Sequence, residues 1–332
     1  MFDQISRSID EFGNSVLNAL NEVQGFFGKE LSVVNPVKNS ILELVGNTPL
    51  IRLNQIGSHI PDINFYIKAE FQNPTGSIRD RSALAMIRDA EKRGKLTKDG
   101  TIVLTGTGSS PISLSWAGRT IGYKVICYLP EGTPEAETIK LRHYGAEIRF
   151  TEENIPKLLQ EINSKPNHWY PNENSNMANP NHHFSTTGPE IFRDMAGKVD
   201  YLVTGGGTGG TVTGIGRFFR SIKSNVKTKV ILTGWKGSSF EQFFSKTKND
   251  VSLPDIFDSR VVDEFVTVTK DEAVRYQSDL LIKEGIPVGI TAGMILCGAV
   301  RYAETLAQKD PYGNSERSTE RKNLIILCPD RE

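Results

Sequence analysis

The sequence predicts an α/β protein with two lobes, each a mostly parallel sheet flanked by helices. Strand-like apolar runs at 101–104, 124–129, 147–150, 201–204 and 229–232 alternate with helix-patterned stretches, which is the order of βαβ units. Two of them, at 101–104 and 201–204, pass directly into glycine-rich turns that open helices. The chain has 332 residues, 38% of them hydrophobic, enough for two cores of ordinary domain size.

Composition narrows the function classes. Lys plus Arg and Asp plus Glu are both 39, so the formal net charge is zero and no general attraction to nucleic acid or anionic membrane is expected. Cys127, Cys297 and Cys328 lie far apart in apolar runs, which fits buried thiols in a reducing compartment better than disulfides or zinc. The histidines, including adjacent His182 and His183, show no metal-ligand spacing. No run approaches the roughly 18 apolar residues of a membrane span, and no basic segment leads into a continuous apolar stretch at the N-terminus. A cytoplasmic location is the default expectation.

The first element is an amphipathic helix. Phe2, Ile5, Ile9, Phe12, Val16, Leu20, Val23 and Phe27 recur at gaps of three and four and share one helical face. That face is expected to pack on the protein's own body or a dimer mate, or to dock a partner protein. Acidic residues outnumber basic ones up to Glu30, the wrong sign for anionic lipid. A short Pro-containing linker ends near Lys38.

An alternating run from Phe65 to Phe71 predicts a strand, and the segment Asn73-Pro74-Thr75-Gly76-Ser77-Ile78-Arg79-Asp80-Arg81 then feeds a helix that reaches about Gly94. Ser77 can cap its first amides, and Ala83, Leu84, Met86 and Ile87 form its buried stripe. The turn after 101–104 is Gly106-Thr107-Gly108-Ser109-Ser110-Pro111, with Pro111 suited to a first helical turn. The turn after 201–204 is Gly205-Gly206-Gly207-Thr208-Gly209-Gly210-Thr211, whose amides can converge on a phosphate. Gly205, Gly207 and Gly210 also satisfy GxGxxG, but no acidic ribose partner ends the next strand near Gly234-Trp235-Lys236, which disfavours a nicotinamide-dependent (NADP) oxidoreductase. Packing glycines without a ligand are the plainer alternative. A last strand is expected at 324–327.

With Leu44-Val45-Gly46-Asn47-Thr48-Pro49-Leu50, Asn179-Pro180, Thr186-Thr187-Gly188-Pro189-Glu190 and Gly289-Ile290-Thr291-Ala292-Gly293, these segments resemble the cysteine synthase and cystathionine β-synthase family over about residues 41–330. These are pyridoxal-phosphate enzymes of fold type II, with a tryptophan-synthase-β-like architecture. The resemblance implies an N-terminal extension at 1–35, an N-terminal lobe from 36–50 and 73–183, a C-terminal lobe from 51–72 and 184–332, and a homodimer. It implies that Gly207, Thr208, Gly209, Gly210 and Thr211 hold the cofactor phosphate, that Ser109 stands near the ring hydroxyl and that Thr291 meets the pyridine nitrogen.

The same resemblance exposes departures. Arg79 stands where the family carries the lysine that forms the cofactor Schiff base and moves the substrate α-proton. A guanidinium with a pKa above about 12 does neither. Of the substrate-carboxylate loop Gly106, Thr107, Gly108, Ser109 and Ser110, only Gly108 keeps its family identity, and Glu173 replaces a glutamine. The stretch 240–258 has no glycine where the family has a glycine-rich loop. These departures predict a non-catalytic relative that regulates or scaffolds a protein partner, with no covalent cofactor. The alternative is an enzyme or sensor that holds pyridoxal phosphate or another phosphate ligand non-covalently. Arg79 and Glu173 are expected to face one cleft and pair with each other, unless an anion at 207–211 draws the guanidinium away.

Overall fold

A computed structural model describes residues 37–60, 62–152, 154–222, 227–248, 250–309 and 321–331. The stripe from Phe2 to Phe27 lies outside the described residues. The chain divides into two compact units, 1–43 and 44–332. Of the first, residues 37–43 are described and lead into a 3-10 turn at Ile41–Leu44.

The second unit holds ten described strands in two sheets. The larger has the order β1-β2-β10-β7-β8-β9, formed by Leu50–Arg52, Ile63–Ala69, Lys322–Cys328, Tyr201–Gly205, Lys229–Trp235 and Glu264–Val268. Only the β1–β2 pairing is antiparallel in it. The smaller sheet, β5-β4-β3-β6, is parallel throughout and uses Glu147–Thr151, Lys124–Pro130, Thr101–Thr105 and His168–Trp169. Strands covered on both faces need continuous apolar runs. Val203 and Ile325 show this: each is fully buried, as are their neighbours on both faces of β7 and β10.

Four helices pack together beside the sheets. The Arg79–Lys92 helix packs on Ser109–Ile121 and on Ala178–Ser185, which in turn packs on Gly210–Ser221. Close approach is built into the last pair: a Cβ on Gly214 would lie 2.2 Å from the Pro180 carbonyl oxygen. The expected strands appear, most of them extended by one to three residues. The expected strand to Phe71 stops instead at Ala69, because Glu70–Gln72 turn into a 3-10 helix that carries Glu70 into the core. All three cysteines are free and buried. No helix of the described residues is long and apolar enough to cross a membrane.

The core contains a charged cluster that the hydrophobic pattern gave no sign of. Arg81 donates from Nε to Glu70 Oε2 at 2.7 Å and from Nη2 to Glu70 Oε1 at 2.9 Å. Its Nη1 and Nη2 also reach Glu190 Oε1 and Oε2 at 2.8 and 2.6 Å. Lys68 Nζ lies 2.9 Å from Glu190 Oε2 and donates to the Thr48 carbonyl at 2.5 Å. The Thr48 hydroxyl and the Asn73 amide complete the shell of Glu70 at 2.7 and 2.8 Å. Two cations thus face two carboxylates, with every charge hydrogen-bonded, the condition under which buried ions are tolerated. Burial pushes the Glu190 carboxyl up, but Arg81 and Lys68 outweigh it and hold the pKa to about 2.

Arg81→Ala strands two buried carboxylates. The expected loss is about 3–5 kcal/mol, read as a lower denaturant midpoint with unchanged slope. Because the folded pKa of Glu190 is depressed, its contribution is complete above its ordinary value of 4.5 and falls away as the pH drops toward about 2. Urea midpoints between pH 6 and 2.5 should decline more steeply in the parent than in Glu190→Gln.

Candidate functional site

Both glycine-rich turns lie at the carboxyl ends of parallel strands, where α/β sheets place ligand crevices. They border a cleft of about 270 Å³ whose lining includes Arg79, Ser109, Gly207, Thr208, Thr291 and Asp330. The loop that delivers Arg79 is pinned at both ends. Thr75 donates its amide and hydroxyl to Asp80 at 2.7 and 2.5 Å, and Ser77 Oγ accepts from the Arg79 amide at 3.1 Å. The Ile78 amide bonds to the Pro329 carbonyl at 2.7 Å, and the Arg331 amide to that of Gly76 at 3.0 Å. The first helical residue, Arg79, therefore leaves a fixed backbone toward the cleft.

The Arg79 guanidinium joins the cleft walls. Nη1 lies 3.2 Å from Thr208 Oγ1 and 3.4 Å from Glu173 Oε2. The same Glu173 oxygen accepts from Ser110 Oγ at 2.6 Å, so its best partner is the hydroxyl and not the cation. The expected pair forms, but at a length beyond the roughly 2.7–2.9 Å of a strong charge-assisted bond. Arg79 is shared with the glycine-rich turn, and a Cβ built on Gly207 would meet its Nη2 at 3.0 Å. The cation therefore stands at the mouth of the turn assigned to phosphate.

The residues of that turn divide by role. Gly207 opens on the cleft, while Gly209 has φ +79° in the left-handed region that favours glycine. Gly210 is a packing position, since a Cβ there would fall 2.4 Å from Asn179 Oδ1. Thr208 receives the Asn179 amide at 3.4 Å, and Thr211 lies 3.3 Å from His183 Nε2. Burial lowers the His183 pKa well below its usual value, with His182 and the arginines adding to the effect, so it is neutral at pH 7.

The other predicted positions are less uniform. Ser109 lines the cleft, and Thr291 does so from the first turn of the Ile290–Lys309 helix. Pro111 lies in the first turn of its helix, with Gly108 before it at φ +100°. Gly106 takes φ +78° in the turn, but the Thr107 hydroxyl goes to Glu137 Oε2 at 2.7 Å and not to the cleft. The glycine-free stretch begins with a short helix, Ser239–Phe244, where Phe240 packs edge-on against Phe257 with centroids 5.0 Å apart. Asp330 was missed from the sequence. Its signal is an acidic residue just past the end of a parallel strand, at the crevice edge.

The profile of the family described as "Pyridoxal-phosphate dependent enzyme" matches residues 41–313. A cysteine synthase of Flavobacterium sp. is 36% identical over 260 residues, covering 75% of this chain and 83% of that protein. A cystathionine beta-synthase of Apis mellifera is 33% identical over 314 residues and 87% of this chain, which spans 59% of that protein's length. The solved structure of an O-ureido-L-serine synthase superposes with a TM-score of 0.77 at 28% identity, covering 89% of this chain and 92% of the other.

These findings correct the expectation of a non-catalytic scaffold. The proteins the chain is similar to carry the names of enzymes, over most of its length. The expectation took the departures at Arg79, the 106–110 loop, Glu173 and 240–258 together as the loss of a whole site. The cleft nevertheless retains its phosphate turn, its Thr291 hydroxyl and a cation directed at the turn.

Arg79 and Glu173 are 24% and 29% exposed, so solvent screens their attraction. A double-mutant cycle with Arg79→Ala and Glu173→Ala should give a coupling of about 0.5–1 kcal/mol. A value above about 2 kcal/mol would show a desolvated pair instead.

Proposed function

Because the chain belongs to the pyridoxal-phosphate-dependent enzyme family, we propose that it is itself an enzyme acting at the β-carbon of an amino acid, with its cofactor held by non-covalent contacts. Cysteine, cystathionine and O-ureidoserine, the products named in its relatives, are all alanines substituted at Cβ through sulfur or oxygen. The substrate class that fits is an amino acid with a leaving group at Cβ, together with a small nucleophile.

The observation that carries the non-covalent part is the position of Arg79. Its guanidinium lies at Thr208 and Gly207, where it adds a fixed cation to the amides of a helix N-terminus, a favourable setting for a phosphate. Among the described residues no lysine lines this cleft. The fully buried Lys68 is committed to Glu190 and Thr48. The residues therefore fit the phosphate and ring of the cofactor, and they do not fit attachment to the chain.

When bound, pyridoxal phosphate supplies an electron sink for charge developing at the substrate α-carbon. This chain's residues bind and orient the cofactor and the substrate. The 207–211 amides and Arg79 hold the phosphate, and Thr291 offers its hydroxyl to the ring. Glu173, anchored by Ser110, sets a negative wall where a substrate ammonium is better received than a second carboxylate. The Phe240 and Phe257 rings pack against each other behind the turn, Phe240 at Gly206 and Phe257 at Gly209.

Equilibrium dialysis with pyridoxal phosphate is expected to show saturable binding that gel filtration reverses, and borohydride should leave no pyridoxyl group on the chain. A pyridoxyl-lysine found by peptide mapping would overturn the non-covalent reading. An alanine carrying a β-leaving group, supplied with sulfide and cofactor, should yield cysteine. Arg79→Ala should weaken cofactor binding about tenfold or more through loss of a charge-assisted contact. Arg79→Lys should make the bound cofactor reducible onto the chain.

A further inference from the structure

A second cavity opens at the other end of the Arg79–Lys92 helix, and none of its lining residues borders the cleft. Its volume is about 700 Å³. That is within the roughly 300–1,000 Å³ of small-molecule sites. Its walls are the end of that helix, Lys95 just beyond it, and parts of the run from Lys165 to Met177, which includes the edge strand β6.

The charge of this cavity is one-sided. Asp89 is the only carboxylate among its lining residues, and Arg93 takes it, with Nε 2.9 Å from Oδ2. Lys95 and Lys165 border the same cavity, and neither ammonium has a hydrogen-bonding or ionic partner among the described residues. The Tyr170 hydroxyl and the Asn172 side-chain amide are uncommitted among them too. Exposed lysines are ordinarily solvated one by one. Two that border one concavity add their fields there, and the low-dielectric wall behind them focuses the sum. That wall includes Trp169 and Tyr170, so an anion seated here meets aromatic surface as well as charge.

We propose that this cavity is a second ligand site, for a small organic anion that joins a phosphate to a flat ring, the chemistry of a mononucleotide. Lys95 and Lys165 receive the phosphate as point charges, and the aromatic wall receives the ring. The Tyr170 hydroxyl and the Asn172 amide remain for the polar groups between them. The occupant also braces a segment that reaches the cleft. Asn172 and Ser175 border the cavity, while Glu173 between them accepts from Ser110 and Arg79. Holding 172 and 175 restrains Glu173, so a ligand here acts on one wall of the cleft. The inference does not depend on what the cleft itself binds.

Calorimetric titration of the full chain with AMP, adenosine and inorganic phosphate tests this, with hydrogen exchange to place the ligand. AMP should bind about tenfold or more tightly than either fragment, and less tightly as salt rises. The double variant Lys95→Gln/Lys165→Gln, altered at two exposed positions and so expected to fold, should lose about tenfold or more in AMP affinity. Amides of 165–177 should exchange more slowly with AMP bound. Inorganic phosphate binding as tightly as AMP would overturn the ligand class. Failure of the parent to bind AMP, or equal AMP affinity in the double variant, would overturn the site. Slowed exchange confined to 205–211 would put AMP in the cleft and overturn it equally.

Discussion

The bidentate grip of Arg81 on Glu70 and Glu190 is the constraint on which the rest of the structure depends. It joins a residue just past β2, the first turn of the Arg79–Lys92 helix and the Thr187–Asp194 helix in one buried ion cluster with Lys68. Those elements arrive from positions far apart in the chain, and apolar packing alone tolerates small slides between them. Four hydrogen-bonded ions do not, because any slide exposes an unpaired charge to a low-dielectric interior. Arg81 lies two residues from Arg79, so the cluster also fixes where the Arg79 side chain begins. The site inherits its geometry from a core that contains no ligand-binding residue.

Much of this was legible in the sequence, and the exceptions have physical causes. Parallel strands buried on both faces leave unbroken apolar runs, which is why β3, β4, β7, β8 and β10 could be read within a few residues. The β6 strand has two residues and β1 has three, too few to show a period. Glu70 and Arg81 looked like surface residues, since charge is ordinarily a mark of exposure. Nothing local distinguishes a carboxylate that will find a guanidinium eleven residues later.

The site was legible in its parts and misread in its sum. The glycine-rich turn, the position of Arg79 and its proximity to Glu173 all followed from spacing and resemblance. What did not follow was the direction of the guanidinium. Read beside the altered 106–110 loop, Glu173 and 240–258, Arg79 implied an abandoned site; seen against Thr208 and Gly207, it is a cation placed where an anion is expected. Asp330 was invisible for a different reason. Its burial is created by the 76–78 loop and Gly289, which reach it only in the folded chain.

The glycines after β7 have a consequence for how this family can change over time. Gly210 and Gly214 are held in place by the neighbouring helix, whose atoms stand 2.4 and 2.2 Å from where a side chain would begin. Selection for folding alone would retain them in a descendant that had lost every ligand. Gly207 is under no such demand, because only the flexible end of Arg79 lies near it. In a drifting lineage the turn would thus keep the outward look of a phosphate motif while Gly207, a cleft-lining glycine that no packing contact holds, was free to mutate. Position 207, and not the number of glycines around it, is where the history of binding would be recorded.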